Sequence, residues 1–286
     1  MLTGKTHRID FHIHAFPDKI AGRTMEHLSK IAGSQPVTDG TVSGAVEKLS
    51  QYGAHDGVLM QIATKPSQQT TVNNWAASIQ KTTPGIVCFG SVHPDAPDAL
   101  DELERIRSLG LYGVKLHPDY QNFMVDDPKL FPIYDTIAQL HLPLMLHTGC
   151  DPVSPKLIHA PAYRLKKVIE QFPNLTVIAA HMGGLGRYDD TEEHLVGKNL
   201  YLDTSTPSAP CSREQALRII RNHGAHRILF ATDCPWSDGN QGISFLENLG
   251  LSDQELELIF HKNALSLLNQ GLTSLDPNRL RRAFCQ

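Results

Sequence analysis

Eight short apolar runs alternate with longer amphipathic segments along this chain, and the alternation restricts its fold more than any other feature. The runs are rich in β-branched and aliphatic residues, and each is followed by a segment with a helical pattern. Repeated βα units of this kind build a parallel sheet covered by helices. The sequence therefore predicts an α/β protein with a single (β/α)8 TIM barrel, whose strands are expected at 8–14, 57–62, 86–92, 112–117, 143–147, 175–181, 200–204 and 227–233.

Capping residues and glycines indicate where several helices begin and end. Thr41, Asp95 and Ser212 are predicted N-caps, and the helix after each ends at a glycine suited to a left-handed conformation. A last amphipathic segment at 252–269 is expected to form a C-terminal helix packed on the outside of the barrel. Because no low-complexity linker divides the 286 residues, residues 1–286 are predicted to be one domain, with its core at about 7–269 and a loosely held tail at 271–286.

The composition excludes several classes of partner. The formal net charge is −4 and the two signs are interspersed, so neither nucleic acid nor a membrane surface is expected, which leaves a small-molecule substrate. No signal-like apolar region opens the chain and no run reaches ~20 apolar residues, so a cytoplasmic location is expected. The five cysteines are scattered without CxxC spacing, which indicates reduced thiols rather than disulfides or a cysteine-type zinc site.

The first predicted strand carries a His-x-His pair at its end. Strand alternation places His12 and His14 with Asp10 on one side, which is expected to face the barrel mouth. The opposite, apolar side is expected to face the outer helices and consists of Ile9, Phe11 and Ile13. Because side chains two apart on a strand lean the same way, His12 and His14 can reach one metal ion.

Three further strands end in His147, His181 and Asp233. The carboxyl ends of barrel strands meet at the functional face, so these side chains are expected to gather with the first-strand pair. Each of them taken alone also fits a hydrogen-bonded residue at the rim. Together, neutral imidazoles and a carboxylate suit a zinc-like divalent ion with one position open for water, whose pKa such an ion lowers to about 7. This combination indicates catalysis rather than a structural metal.

The segments RIDFHIH, LPLMLHTG, VIAAHMGG and ILFATDCPW together resemble the amidohydrolase superfamily. More narrowly, the chain is similar to the amidohydrolase-related group that includes aminocarboxymuconate-semialdehyde decarboxylase and many metal-dependent hydrolases, from the first strand to KNALSLL near the end. The resemblance implies that His12, His14, His147 and Asp233 hold the metal. It also implies that His181 is the catalytic histidine, with Asp233 as a proton relay.

Lys115 and His117, on the fourth predicted strand, leave the number of metal ions open. Both share the inward parity, whereas Val114 and Leu116 face outward. In the binuclear branches of the superfamily a carboxylated lysine on this strand bridges two ions, and Lys115 is placed where it could do so. The alternative is that Lys115 pairs with a carboxylate such as Asp10 or Asp203, and that His117 lies at the rim or contacts the substrate.

Three other residues are weaker candidates for substrate binding. His93 follows the third strand, Arg187 follows HMGG and Trp236 follows the Asp233 strand. Their alternatives are a turn cap for His93, a surface salt bridge for Arg187 and simple packing for Trp236. The long segment 15–40 after the first strand is a candidate lid.

The function expected from these residues is metal-dependent hydrolysis of a small amide, lactone or ester that carries a carboxylate. The same residues also suit a non-oxidative decarboxylase of an unsaturated or aromatic acid, which is the alternative. A catalytically silent barrel that binds only a metal or ligand is the second alternative. Zn²⁺ is the expected ion, with Mn²⁺ as its alternative and a second ion if Lys115 is carboxylated, and a homodimer is expected by similarity only.

Overall fold

Eight parallel strands form the centre of the computed structural model, which describes residues 7–206 and 211–270 together with Phe284. The strands are β1 (Ile9–Ile13), β2 (Asp56–Met60), β3 (Ile86–Phe89), β4 (Val114–Leu116), β5 (Leu144–Leu146), β6 (Val177–Ala179), β7 (Tyr201–Asp203) and β8 (Ile228–Leu229). Strands β1 to β3 form a three-stranded parallel sheet, and β4 to β8 form a five-stranded one. Parallel bridges from Gly90 to Val114 and from Ile13 to Cys234 join the edges of the two sheets and close the barrel. The predicted barrel is therefore confirmed.

The helices cover the strands in the order that the alternation predicts. They are α1 (Asp18–Ala32), α2 (Val42–Gln51), α3 (Gln69–Thr82), α4 (Ala99–Ser108), α5 (Pro118–Gln121), α6 (Phe131–Gln139), α7 (Ala162–Gln171), α8 (Tyr188–His194), α9 (Arg213–His223), α10 (Gly239–Glu247), α11 (Asp253–Glu257) and α12 (Asn263–Gln270). The apolar faces of the main helices and the outward side chains of the strands form one large cluster. None of these helices, within the part of the chain that the structure describes, is both long and apolar enough to cross a membrane.

Two of the three predicted helix caps are confirmed. The Thr41 side chain accepts a hydrogen bond from the Gly44 backbone N–H, and that of Ser212 accepts one from Gln215. Asp95 does not begin a helix, because α4 starts only at Ala99. A turn that joins the Ala96 N–H to the His93 carbonyl comes first, and the Asp95 carboxylate pairs with Lys129 at 2.9 Å.

The alternation predicted for β1 is wrong for the start of the strand. Ile9 and Phe11 belong to the apolar cluster inside the barrel, whereas Asp10 accepts a hydrogen bond from the Tyr52 hydroxyl at 2.6 Å on the helix side. The pairing of β1 with β2 shifts register between Asp10 and Ile13, which is the signature of a bulge. As a result Phe11 and His12, adjacent in sequence, both face inward.

The C-terminal segment closes off the apolar interior of the barrel. A capping box of Ser252 and Glu255 begins α11, and a π-helical turn at Leu258–Lys262 leads into α12. The helix lies outside the ring of strands, and its inner face joins the interior cluster through Ala264, Leu267 and Leu268. Phe284 belongs to the same cluster, and the rest of the predicted tail at 271–286 lies outside the described residues.

The segment after β1, predicted as a long loop, contains the fifteen-residue helix α1. Asp18 lies in the first turn of the helix, and Gly33 ends it in a left-handed conformation at φ 62°. The Ala21 and Met25 side chains of α1 are buried, while other side chains of the helix line the cavity at the barrel mouth. The candidate lid is therefore a helix that covers the functional face.

Candidate metal centre

Three of the four predicted metal ligands meet at the mouth of the barrel. The Nε2 atoms of His12 and His14 are 3.1 Å apart, and they lie 3.4 and 3.2 Å from Oδ1 of Asp233. At metal–ligand distances of about 2.0–2.2 Å, two ligands are separated by about 3.3–3.6 Å around a tetrahedral ion and by about 2.8–3.1 Å where they meet at a right angle around a five-coordinate ion. The spacing and the donor types therefore fit a divalent ion without rearrangement of the chain.

Hydrogen bonds on the far sides of both imidazoles aim their Nε2 lone pairs at the same point. His12 Nδ1 lies 2.8 Å from the carboxylate of Asp203 on β7, and His14 Nδ1 lies 3.2 Å from the Met60 carbonyl. Both acceptors require the proton on Nδ1, which leaves Nε2 free to bind a metal. A carboxylate or carbonyl behind a ligating histidine is the usual second layer of a metal site.

The backbone places Asp233 against β1. Its N–H donates to the His12 carbonyl at 2.8 Å, and the His14 N–H donates to the Cys234 carbonyl at 2.6 Å. Asp233 has a φ of 60°, a left-handed conformation that a non-glycine residue adopts at a cost. Strain of this kind persists where the surroundings determine the position of a functional side chain.

Burial and charge favour the ligand forms of these groups. Desolvation, followed by the nearby charge of Lys115, lowers the pKa of His12 well below its ordinary value, so the imidazole is neutral. Burial works against ionisation of Asp233, but His12 and a hydrogen bond with His14 outweigh it, and its pKa is lower than usual. Neutral imidazoles and an ionised carboxylate are the forms that bind a divalent cation.

His147, the fourth predicted ligand, belongs to a neighbouring group with His117 and Asp151. Its ring stacks on that of His117 at 4.2 Å, and Oδ2 of Asp151 lies 3.5 and 3.6 Å from Nε2 of His117 and His147. Asp119 lies behind this group, and its buried Oδ2 has no hydrogen-bond partner. The assignment of His147 to the first ion stays a prediction, since its Nε2 faces Asp151.

His181 links the two groups. Its Nε2 lies 3.0 Å from His147 Nδ1, and its ring centroid lies 5.5 Å from that of His12. On the other side its Nδ1 lies 2.9 Å from the Ser205 hydroxyl, which in turn donates to Asp203 at 2.6 Å. Asp203 therefore orients His12 directly and His181 through Ser205. His181 also has a left-handed φ of 60°.

Lys115 lies inside the barrel beside the metal ligands, as its predicted parity requires. Its Nζ is 3.4 Å from His12 Nε2, and the residue is 1% exposed. Burial lowers the pKa of Lys115 to about 8, while Asp233, Asp203 and Asp151 oppose this shift. Of the two carboxylates considered as its partners, Asp203 contributes, whereas Asp10 faces the helix layer.

A cavity of about 550 Å³ opens above these residues. Among the weaker candidates, Trp236 lines it. His93 is buried outside the lining, where its Nδ1 accepts a hydrogen bond from the Asp95 N–H. Arg187 pairs with Asp190 at 2.9 Å and its side chain is half exposed, so it has the alternative role as a surface ion pair. The structure thus brings neither His93 nor Arg187 to the metal centre.

Sequence reasoning missed Asp151, Asp119 and Ser205. These residues lie in segments that follow strands, where period-two alternation no longer predicts the direction of a side chain. Asp151 comes four residues after His147, and this short spacing to a predicted ligand was the available signal.

Comparison with known proteins identifies a matching family and several proteins with a similar fold. The model of the family described as amidohydrolase matches residues 9–270. A relative from Dictyostelium discoideum, 2-amino-3-carboxymuconate-6-semialdehyde decarboxylase, is 26% identical over 63% of this chain, which spans 58% of that protein's length. An uncharacterised TIM-barrel protein from Bordetella bronchiseptica has a TM-score of 0.73 at 20% identity, covering 93% of this chain and 99% of its own. A dihydroxybenzoic acid decarboxylase from Polaromonas sp. JS666, solved with manganese and the inhibitor 2-nitroresorcinol, has a TM-score of 0.67 at 17% identity, covering 92% and 97%.

Proposed function

Because this chain belongs to the amidohydrolase family and is a metal-dependent enzyme of that superfamily, we propose that it catalyses the non-oxidative decarboxylation of an unsaturated or aromatic acid. The residue pattern alone favours hydrolysis first. The order is reversed here because the Dictyostelium relative and the Polaromonas protein are both named decarboxylases. Hydrolysis remains the outcome against which the proposal is tested.

The observation that carries the proposal is the position of Lys115. Its ammonium group is buried at the inner end of the cavity, 3.4 Å from a predicted metal ligand. Burying a cation is costly unless an anion neutralises it. Asp233, Asp203 and Asp151 offset part of that cost, but Asp233 would be shared with the metal ion and Asp203 accepts from His12. A substrate carboxylate supplies a further anion, whereas a neutral ester or amide does not. Lys115 therefore supports an acid as the substrate.

His12, His14 and Asp233 would hold the ion, with His147 as the predicted fourth ligand. When bound, a divalent ion polarises a substrate oxygen and neutralises negative charge that develops on it. In the reaction the bond between the carbon skeleton and the carboxyl carbon breaks, its electron pair stays on the skeleton, and carbon dioxide leaves. A proton then takes the vacated position on that carbon, so an acid anion and one proton yield the product and carbon dioxide.

His181 is proposed as the group that delivers this proton, with Asp233 as a relay. The ring of His181 is oriented by Ser205 and lies next to His147, between the two groups of ligands. A proton donor must lie within hydrogen-bond reach of the carbon that accepts the proton, and His181 lines the same cavity as Lys115. Solvent restores the proton to His181 after each turnover.

The test is a panel of aromatic and unsaturated acids, lactones and amides, assayed with added Zn²⁺ or Mn²⁺. We expect carbon dioxide from at least one acid, with one deuterium on the former carboxyl-bearing carbon when the reaction runs in D₂O. His181→Asn and Asp233→Asn should lower kcat at least about 100-fold, and Asp190→Asn on the surface is the matched control. Incorporation of ¹⁸O from water into lactone or amide products, without carbon dioxide from any acid, would establish hydrolysis instead.

Zinc is the proposed ion, and manganese is the alternative that the Polaromonas structure supports. Metal analysis of the purified protein should give about one ion per chain, and His12→Ala should remove it. Two ions per chain would assign the second to carboxylated Lys115 or to the group of His117, His147 and Asp151. A metal-free protein that stays inactive with either ion would favour the silent barrel.

A cytoplasmic location and a homodimer are also proposed, on the expectations drawn from the sequence. Light scattering on the eluted protein measures the second: a mass near twice 31.6 kDa is expected. A mass of one chain would refute the dimer without affecting the proposed chemistry.

A further inference from the structure

The cavity above the metal centre has its charges at one end only. Among the lining residues that the structure describes, the charged side chains are Lys115, Asp151 and Asp233. All three lie at the inner end, next to the histidines. Farther out, the polar lining is uncharged or imidazole. The cavity thus offers a substrate one charged region, where the reaction is proposed to occur.

Lys115 is the single lysine or arginine that the described residues contribute to this lining. With a divalent ion bound, Lys115 and the ion carry three positive charges, which Asp151, Asp233 and one substrate carboxylate already balance. A second carboxylate near the centre would therefore meet acidic neighbours without a cation of its own. At the outer end a second carboxylate would lie against side chains that cannot neutralise it. Both placements are unfavourable for a diacid.

Apolar side chains from two helices form the outer wall. α1 contributes Ile20, Leu28 and Ile31, and α3 contributes Val72 and Trp75. Ile20 is 40% exposed, so part of this wall is open to a ligand. The volume of about 550 Å³ is within the range of about 300–1,000 Å³ that is typical of small-molecule sites.

Gln61, which also lines the cavity, has an unsatisfied donor. The residue is 6% exposed, and its Nε2 has no hydrogen-bond partner. A buried donor without a partner is costly, and a ligand oxygen would remove that cost. The amide can donate to a hydroxyl or carbonyl oxygen, but because it is uncharged it would not neutralise a second carboxylate.

On the basis of the proposed function, we infer that the substrate is a monoanionic acid with an extended apolar body. Its one carboxylate lies beside Lys115 at the metal centre, a neutral oxygen accepts from Gln61, and its body lies between α1 and α3. Diacids are excluded as good substrates by the same geometry.

The chain carries its own probe for testing this inference. Its two tryptophans, Trp75 and Trp236, both line the cavity, so a ligand there should change the intrinsic fluorescence. Titration of the metal-loaded protein with aromatic acids of increasing alkyl length should raise affinity about fourfold per CH₂ until the cavity is filled. The same acids with a second carboxylate at the far end should bind at least about tenfold more weakly.

Two substitutions separate the outer wall from the centre. Trp75→Ala should weaken binding of the long acids at least about tenfold and leave the shortest acid within about twofold, with Trp236 as the remaining reporter. Val72→Arg should raise the affinity for the diacids. Leu100→Arg, at an exposed position on α4 outside the cavity, is the matched control and should change neither series.

Tighter binding of diacids than of the matching monoacids, or affinity independent of tail length, would overturn the inference. These readouts need no turnover, so the two proposals can fail separately. A binding preference for long monoacids without release of carbon dioxide would refute the decarboxylase and leave the ligand class intact. Rapid decarboxylation of diacids would do the reverse.

Discussion

Replacement of Asp203 by asparagine should weaken metal binding although Asp203 is not a predicted ligand. Its Oδ2 lies 2.8 Å from His12 Nδ1, and its Oδ1 accepts from the His181 N–H, the Ser205 N–H and the Ser205 hydroxyl at 2.8, 3.0 and 2.6 Å. The residue is fully buried. All four donors around the Asp203 side chain therefore need a side chain that can accept hydrogen bonds on both of its oxygens.

An asparagine cannot satisfy both sides. If its oxygen faces His181 and Ser205, its NH₂ faces His12 Nδ1, and His12 must move its proton to Nε2, which removes the lone pair that would bind the metal. The opposite orientation sets NH₂ against three donors. Loss of such a supporting contact typically lowers metal affinity about 10–100-fold, which is about 1.4–2.7 kcal/mol.

The affinity is measured by titrating metal-free protein with Zn²⁺ or Co²⁺ in competition with a chromophoric chelator. The matched control is Asp56→Asn. Asp56 lies on β2, outside the lining of the cavity, and its carboxylate also accepts a hydrogen bond from a histidine, His7. The control should keep the affinity of the parent protein within about twofold. An Asp203→Asn protein that folds in excess chelator yet binds metal as tightly as the parent would refute the proposed role of His12 Nδ1.

Three further outcomes are expected from stability measurements. Removing the metal with a chelator should lower the melting temperature, and metal at about 100 times its Kd should restore about 2.7 kcal/mol. Burial, ahead of other causes, lowers the pKa of His223, so the parent should lose stability as pH falls below about 6.5. The variant His223→Gln can keep the hydrogen bond to the Leu200 carbonyl and should lose up to about 1.4 kcal/mol less per pH unit. Urea melts that give both proteins the same dependence of the unfolding free energy on pH would contradict this. Gly149→Ala should destabilise the protein by more than about 2 kcal/mol, since its φ is 88° and a Cβ would lie 2.0 Å from the Leu185 nitrogen. Gly22 on α1 has open space around it, so Gly22→Ala should stabilise the protein by about 0.5–1 kcal/mol. A thermal melt in which Gly149→Ala is the more stable of the two variants would contradict this.

The barrel could be predicted from strand periodicity, and so could the meeting of His14 and Asp233 at its mouth. His14 and Asp233 come at the ends of apolar runs, and parallel strands gather such ends at one face. The inward direction of Lys115 followed from the same parity. These features depend on local sequence and on one topological rule.

Features set by contacts between distant segments could not be predicted. His147 stacks on His117 at the end of β4 and faces Asp151 in the loop after β5. The helix α1 was expected to be a loop because its apolar residues are divided between the barrel beneath and the cavity above. No periodicity in one segment encodes these partners.

The bulge in β1 shows how the chemistry and the core depend on each other. With strict alternation, either Phe11 would fill the barrel interior or His12 would reach the metal centre, but not both. The register shift between Asp10 and Ile13 lets the strand supply an apolar side chain to the core and, one residue later, a ligand to the mouth. It also turns Asp10 outward, where it accepts hydrogen bonds from Tyr52 and from Thr232, which precedes Asp233. The Asp10 carboxylate thus links the end of β8 to β1. The bulge that turns His12 inward therefore also helps to hold Asp233 opposite His12.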